Sequence, residues 1–164
     1  MVMMENIPFS DRFVSEDVTT WILIANRTGA RIYRNGGTTE GLILLKDIPH
    51  EEGRLKDREI DTDKPGRSFS MNSSERHAMS HKLAPTDHLA DQFAKELADL
   101  LEEGRTQNRY ERLILVAAPS FLGRLRLALS KGTAEKVFAT LAKELTHLTQ
   151  RELPGHLHSV IKVA

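Results

Sequence analysis

Apolar residues in this chain change their spacing twice. Near the start they fall in short runs of β-branched, aromatic and aliphatic residues, Trp21 to Ala25 and Ala30 to Arg34, separated by Asn26-Arg27-Thr28-Gly29. This pattern predicts an antiparallel hairpin, with Gly29 taking the positive φ of a tight connection. "GLILLKDI", from Gly41 to Ile48, adds a third strand. Past Pro49 the alternation stops. Residues 51–82 hold seven acids and seven bases, with Gly53, Pro65 and Gly66 as breakers, and read as one long, mobile polar connection.

From Pro85 the spacing becomes helical. Leu89, Phe93, Leu97 and Leu101, with Ala90, Ala94 and Ala98 beside them, form a stripe that predicts a helix lying on a sheet, its acids turned to water and Gly104 ending it. "RLILVAAP", Arg112 to Pro119, is nearly all apolar, as expected of a strand covered on both faces. A helix follows, with Ser120 as N-cap, Phe121, Leu125 and Leu129 on one face, and Gly132 as stop. Val137, Leu141, Leu145 and Leu148 fit a helix, while Val137 to Leu141 reads equally as a short interior strand, and the strand is the reading kept. Thr149 and Glu152 have the spacing of a capping box between Leu148 and Leu153, which starts a last helix near Thr149, although Pro154 at its fifth position opposes a regular start. The sum is a single α/β domain over 20–158, a mixed five-stranded sheet with flanking helices, between an N-terminal extension (1–19) and a short tail (159–164). A ribonuclease-H-like topology is the natural expectation for this order.

Composition narrows the class. The 164 residues carry 23 basic and 23 acidic side chains and no cysteine. Net charge therefore gives no global pull toward nucleic acid, and disulfides, thiol-ligated metals and cysteine nucleophiles are excluded. The charge is nonetheless segregated. Residues 83–104 hold six acids against Lys95, while 105–131 hold six bases against Glu111, a swing from −5 to +5. The N-terminus has no basic region followed by an apolar core, and no apolar run approaches the roughly 18 residues of a membrane span. The expectation is a cytoplasmic protein without membrane insertion.

"DKPGRSFS" (Asp63 to Ser70), "RHA" (Arg76 to Ala78), "FAKELADLLEEG" (Phe93 to Gly104), "ERLILVAAPSFLGRLR" (Glu111 to Arg126) and "KELTHLTQRELPGHL" (Lys143 to Leu157) follow one another in an order that resembles the bacterial host-attachment protein family, over about residues 20–158. That family in turn looks like a relative of the central domain of archaeal and eukaryotic peptide-chain release factors. The resemblance implies the same strand and helix order, favours the strand at Val137, and implies a contribution to bacterial attachment to host cells. In the release-factor domain, the loop between the third strand and the first helix carries the hydrolytic Gly-Gly-Gln. Here that loop, Pro49 to Pro85, contains none. The adjacent glycines Gly36-Gly37 precede Thr38 in an earlier connection. The resemblance thus supplies a fold and a loop position without a reaction.

Candidate chemistry concentrates on anions. Arg67, with Ser68 and Ser70 after the Pro65-Gly66 turn, offers a planar fork and two hydroxyls to a phosphate or carboxylate. Arg124 and Arg126 are expected to begin the helix after Pro119, where the dipole already favours an anion such as RNA phosphate. Arg105, Arg109 and Arg112 are expected at the opposite end of that strand. His77 and His81 have the i, i+4 spacing of metal ligands, but the HExxH glutamate is missing, and the reading assigns no metal and no cofactor. Ser120 lacks the flanking glycines of a nucleophile elbow. No catalytic residue is assigned. The leading expectation is a non-enzymatic binding module engaging RNA, the ribosome or a protein. The alternative is a metal-dependent nuclease or other hydrolase, for which Asn26, Asp47 and Glu111 at the strand ends would have to converge.

Overall fold

The computed structural model describes residues 18–55 and 85–161. Its elements are β1 (Thr20–Asn26), β2 (Gly29–Asn35), α1 (Gly37–Glu40), β3 (Leu42–Pro49), α2 (Pro85–Thr106), β4 (Arg112–Val116), α3 (Pro119–Ala128), α4 (Lys131–Lys136), β5 (Val137–Leu141) and α5 (Leu153–Leu157). Residues 51–55 add a helical turn after β3; the mobility expected of 51–82 falls, from 56 onward, outside the described residues. The strands form one mixed sheet in the order β3-β2-β1-β4-β5. β1 is parallel to β4 and β4 to β5, whereas β1, β2 and β3 form an antiparallel meander.

The alternation of β1 divides the core in two. Trp21, Leu23 and Ala25 face α2 and α3, together with Leu113 and Leu115 of β4. Ile22 and Ile24 face the other way, with Tyr33, Ile114 and Val116, and are covered by Leu145, Leu153, Leu157 and Ile161 from the segment after β5. On the first face the α2 stripe is completely buried at Phe93, Leu97 and Leu101. Each such side chain contributes about 1.5–3 kcal/mol of apolar transfer.

The structure corrects several local expectations. Gly29 lacks a positive φ and instead pairs with Pro49 in the ladder; the turn is closed by the Asn26 side chain. Gly104 does not end α2 but lies buried within it, where Trp21 and Tyr110 pack against its bare backbone. The helix runs to Thr106 and is closed at Asn108, φ 56°, where the Arg109 amide donates to the Gly104 carbonyl (2.9 Å) and the Asn108 amide to that of Arg105 (3.0 Å). This is a Schellman close with asparagine in the left-handed position. Ser120 is not an N-cap: Pro119 takes the first position of α3 and Ala118 the cap. Gly132 does not stop that helix. The break comes at Leu129, and Ser130 caps a separate α4 by accepting from the Thr133 amide (3.1 Å).

At the C-terminus, the Thr149 amide donates to Glu152 (2.8 Å) and the Glu152 amide to the Thr149 hydroxyl (3.4 Å). That box closes a turn, and the helix proper begins four residues late, at Leu153, with Pro154 in its first turn. The acids of α2 are not all solvated either. Glu102 accepts from Arg105, Ser130 and Thr133, and Asp87 and Asp91 accept from Arg124.

Candidate functional site

Strands β1 and β4 are parallel neighbours whose connections leave in opposite directions, β1 to β2 on one side and β4 toward β5 on the other. Open α/β sheets place ligand crevices outside the carboxyl ends of strands at such a reversal. A hollow of about 320 Å³ lies at the carboxyl end of β1 on the meander side of that reversal, lined by Asn26, Thr28, Arg31, Asp47, Arg54 and Thr146 among others and by no residue of β4.

One wall is a closed hydrogen-bond network. Asn26 Oδ1 accepts from both the amide and the hydroxyl of Thr28 (2.8 Å each), fixing the hairpin turn. Its Nδ2 donates to the Thr146 hydroxyl (2.8 Å), which donates in turn to Glu144. Arg31 Nη2 donates to the carbonyl oxygens of Thr146 (2.6 Å) and Leu148 (3.0 Å), while its guanidinium lies 5.8 Å from the Tyr33 ring centroid. These contacts pin the segment after β5 onto the meander. Burial pushes the Tyr33 hydroxyl pKa upward; Arg31 opposes the rise and Asp47 adds to it, so the three side chains share one electrostatic neighbourhood.

Beside the hollow, His50 is held on three sides. Its Nδ1 lies 2.6 Å from the Arg27 carbonyl oxygen, its amide donates to Thr28 O (3.0 Å), and its ring stacks on Phe93 at 4.3 Å and 4°. A carbonyl only accepts, so Nδ1 carries a proton. Gly53 is what allows this packing, since a Cβ there would stand 2.5 Å from Nδ1 and 2.4 Å from the Arg27 oxygen.

The residues singled out from sequence are dispersed. Arg67, Ser68, Ser70, His77 and His81 lie outside the described residues. Arg124 sits mid-helix rather than at the start of α3, and its guanidinium is engaged by Asp87 Oδ1 (2.9 Å) and Asp91 Oδ1. Arg126, in the last turn, points instead to β5 and donates to the Thr140 hydroxyl (2.8 Å). The two therefore do not share a surface at the helix N-terminus. Asn26 and Asp47 do meet, in the hollow, but Glu111 is at the other end of the sheet, where its amide donates to Thr19 O (2.8 Å). Among the described residues no three His, Asp or Glu side chains are placed to hold a metal ion. Arg31, Arg54 and Thr146 were missed by sequence reading, because only the sheet topology brings positions more than a hundred residues apart to one crevice.

Fold and crevice together define a single-sheet α/β protein with a polar site at the sheet's carboxyl edge. Over residues 21–157 the chain matches the family described as "Protein required for attachment to host cells", and it belongs to that family. No curated protein matches it. No helix among the described residues is long and apolar enough to cross a membrane.

Proposed function

We propose that this host-attachment family member is a non-enzymatic binding module that engages RNA, in the setting of the ribosome, and that it contributes to host attachment indirectly from the cytoplasm. The observation that carries the reading is the crevice at the end of β1, where Arg31 and Arg54 stand beside amide and hydroxyl groups on a wall already fixed by its own hydrogen bonds. Guanidinium groups on a rigid polar wall suit phosphate recognition. Kinship with the release-factor central domain and a ribonuclease-H-like sheet is part of the proposal. The strand order β3-β2-β1-β4-β5 and the long connection from β3 to α2 support it.

Arg67, Ser68 and Ser70, which belong to that connection, are proposed as further contacts, and exposed Arg126 as a peripheral one; Arg124, held by two aspartates, has less to offer. The test is retention from bacterial lysate with and without ribonuclease, repeated with Arg54→Ala and Arg67→Ala. RNA-dependent retention that both variants weaken is expected. Retention of the same proteins after ribonuclease, unchanged in the variants, would point to a protein partner and end the RNA reading.

A further inference from the structure

Within that RNA-binding reading, on which this step rests, we infer that the crevice recognises a ribose–phosphate unit: Asp47 accepts from the ribose 2′-hydroxyl while Arg31 and Arg54 hold a phosphate, so that RNA is selected over DNA. Three features of the crevice lead there. The first is Asp47, which faces Arg31 across the β2–β3 ladder. Its carboxylate nevertheless makes no hydrogen bond or ion pair with any described residue, because Arg31 turns to the carbonyls of Thr146 and Leu148. A carboxylate is an acceptor only, and this exposed one can exchange water for a donor carried by a ligand.

The second is the unused capacity of the arginines. Arg31 gives Nη2 to the two carbonyls and also bonds Tyr33, which leaves part of a half-buried, pre-oriented fork for a ligand, and the exposed Arg54 side chain lines the same space. The third is what else lines the space. Asn26, Thr28 and Thr146 bond one another and shape the wall, leaving the second Nδ2 hydrogen of Asn26 outside that network.

A bare phosphate entering this space meets repulsion from Asp47. A molecule that carries a hydroxyl donor beside its phosphate uses both signs of charge, and a ribonucleotide does. The volume, about 320 Å³, is at the lower end of small-ligand sites and suits one nucleotide unit. A deoxyribose brings the carboxylate no donor to offset its repulsion of the phosphate-bearing strand, and the 2′-hydroxyl is the group that tells the two apart.

The experiment is fluorescence anisotropy of the full chain with labelled single strands of one sequence, as RNA, as DNA and as 2′-O-methyl RNA. RNA is expected to bind about tenfold more tightly than either of the others, as for a hydrogen bond to a charged group. Asp47→Ala should erase that preference by weakening RNA alone. Arg54→Ala should weaken RNA and DNA alike and lower the salt dependence by about one phosphate contact. Equal affinity of the wild-type chain for RNA and DNA overturns the ribose inference and leaves the nucleic-acid reading standing. Binding of none of the three strands overturns both. The comparison of strands needs no variant, so a poorly folding Asp47→Ala does not affect it.

Discussion

Built onto Gly104, a Cβ would stand 2.8 Å from Trp21 Cζ3, 2.9 Å from Cη2 and 3.1 Å from Tyr110 Cε1. The two rings lie 4.8 Å apart and are themselves buried, so neither can swing clear. In an open helix, alanine would gain about 1 kcal/mol over glycine. Here the clash reverses the sign, and Gly104→Ala should lower unfolding free energy by about 1–2 kcal/mol in denaturant melts. Asn108 behaves oppositely. Its left-handed backbone makes Asn108→Gly nearly neutral and Asn108→Ala costly by about 1 kcal/mol. Both residues show where sequence reading reaches its limit. A glycine near the end of an apolar stripe looks like a stop, and only the placement of Trp21, more than eighty positions earlier, reveals that it is a contact.

At the scale of elements, Glu102 joins α2 to α4: it accepts from Arg105 on its own helix and from Ser130 and Thr133, the cap and first turn of α4. These bonds, Arg105 foremost, hold its carboxyl at about 2, against an ordinary 4.5. A carboxyl whose folded pKa is depressed stabilises the fold above the unfolded value and loses that contribution as pH falls toward the folded one. The melting temperature of the wild type should therefore exceed that of Glu102→Gln at neutral pH. The gap should narrow from about pH 4.5 and close near pH 2. Arg124→Ala, which unties α3 from Asp87 and Asp91, should cost about 1 kcal/mol or less, since these pairs are partly exposed. Periodicity made the strands and α2 legible, because each has one or two apolar faces to bury. The break between α3 and α4 was not legible. Ser130 caps α4 and also donates its hydroxyl to Glu102 of α2, a partner that lies on a different element.

For the molecule as a whole, the segment after β5 is what completes the second face of the sheet. Its polar anchors are Thr146, bonded by Asn26 and Arg31, and Gln150, whose side chain donates to Leu42 O (2.6 Å). A chain cut after Leu141 would uncover Ile22, Ile24, Tyr33, Ile114 and Val116, all at most 1% exposed in the intact protein. Such a chain should aggregate, seen as loss of the monodisperse peak in size-exclusion chromatography, rather than persist as a smaller folded domain. Of the crevice, Asn26 and Asp47 stood out in the sequence only as strand-end groups for the metal-dependent alternative; Thr146 arrives with this segment and Arg54 with the turn after β3. The sheet order also bears on how the chain reaches its fold. β1 pairs with β2 by a two-residue turn but with β4 only across about ninety positions of chain, a closure that local contacts cannot supply. During synthesis the meander can therefore form early with its most apolar strand still unpaired along one edge. That strand has its second partner only when residues 112–116 have left the ribosome, so in pulse-labelled exchange the β1 amides facing β4 should gain protection later than those facing β2.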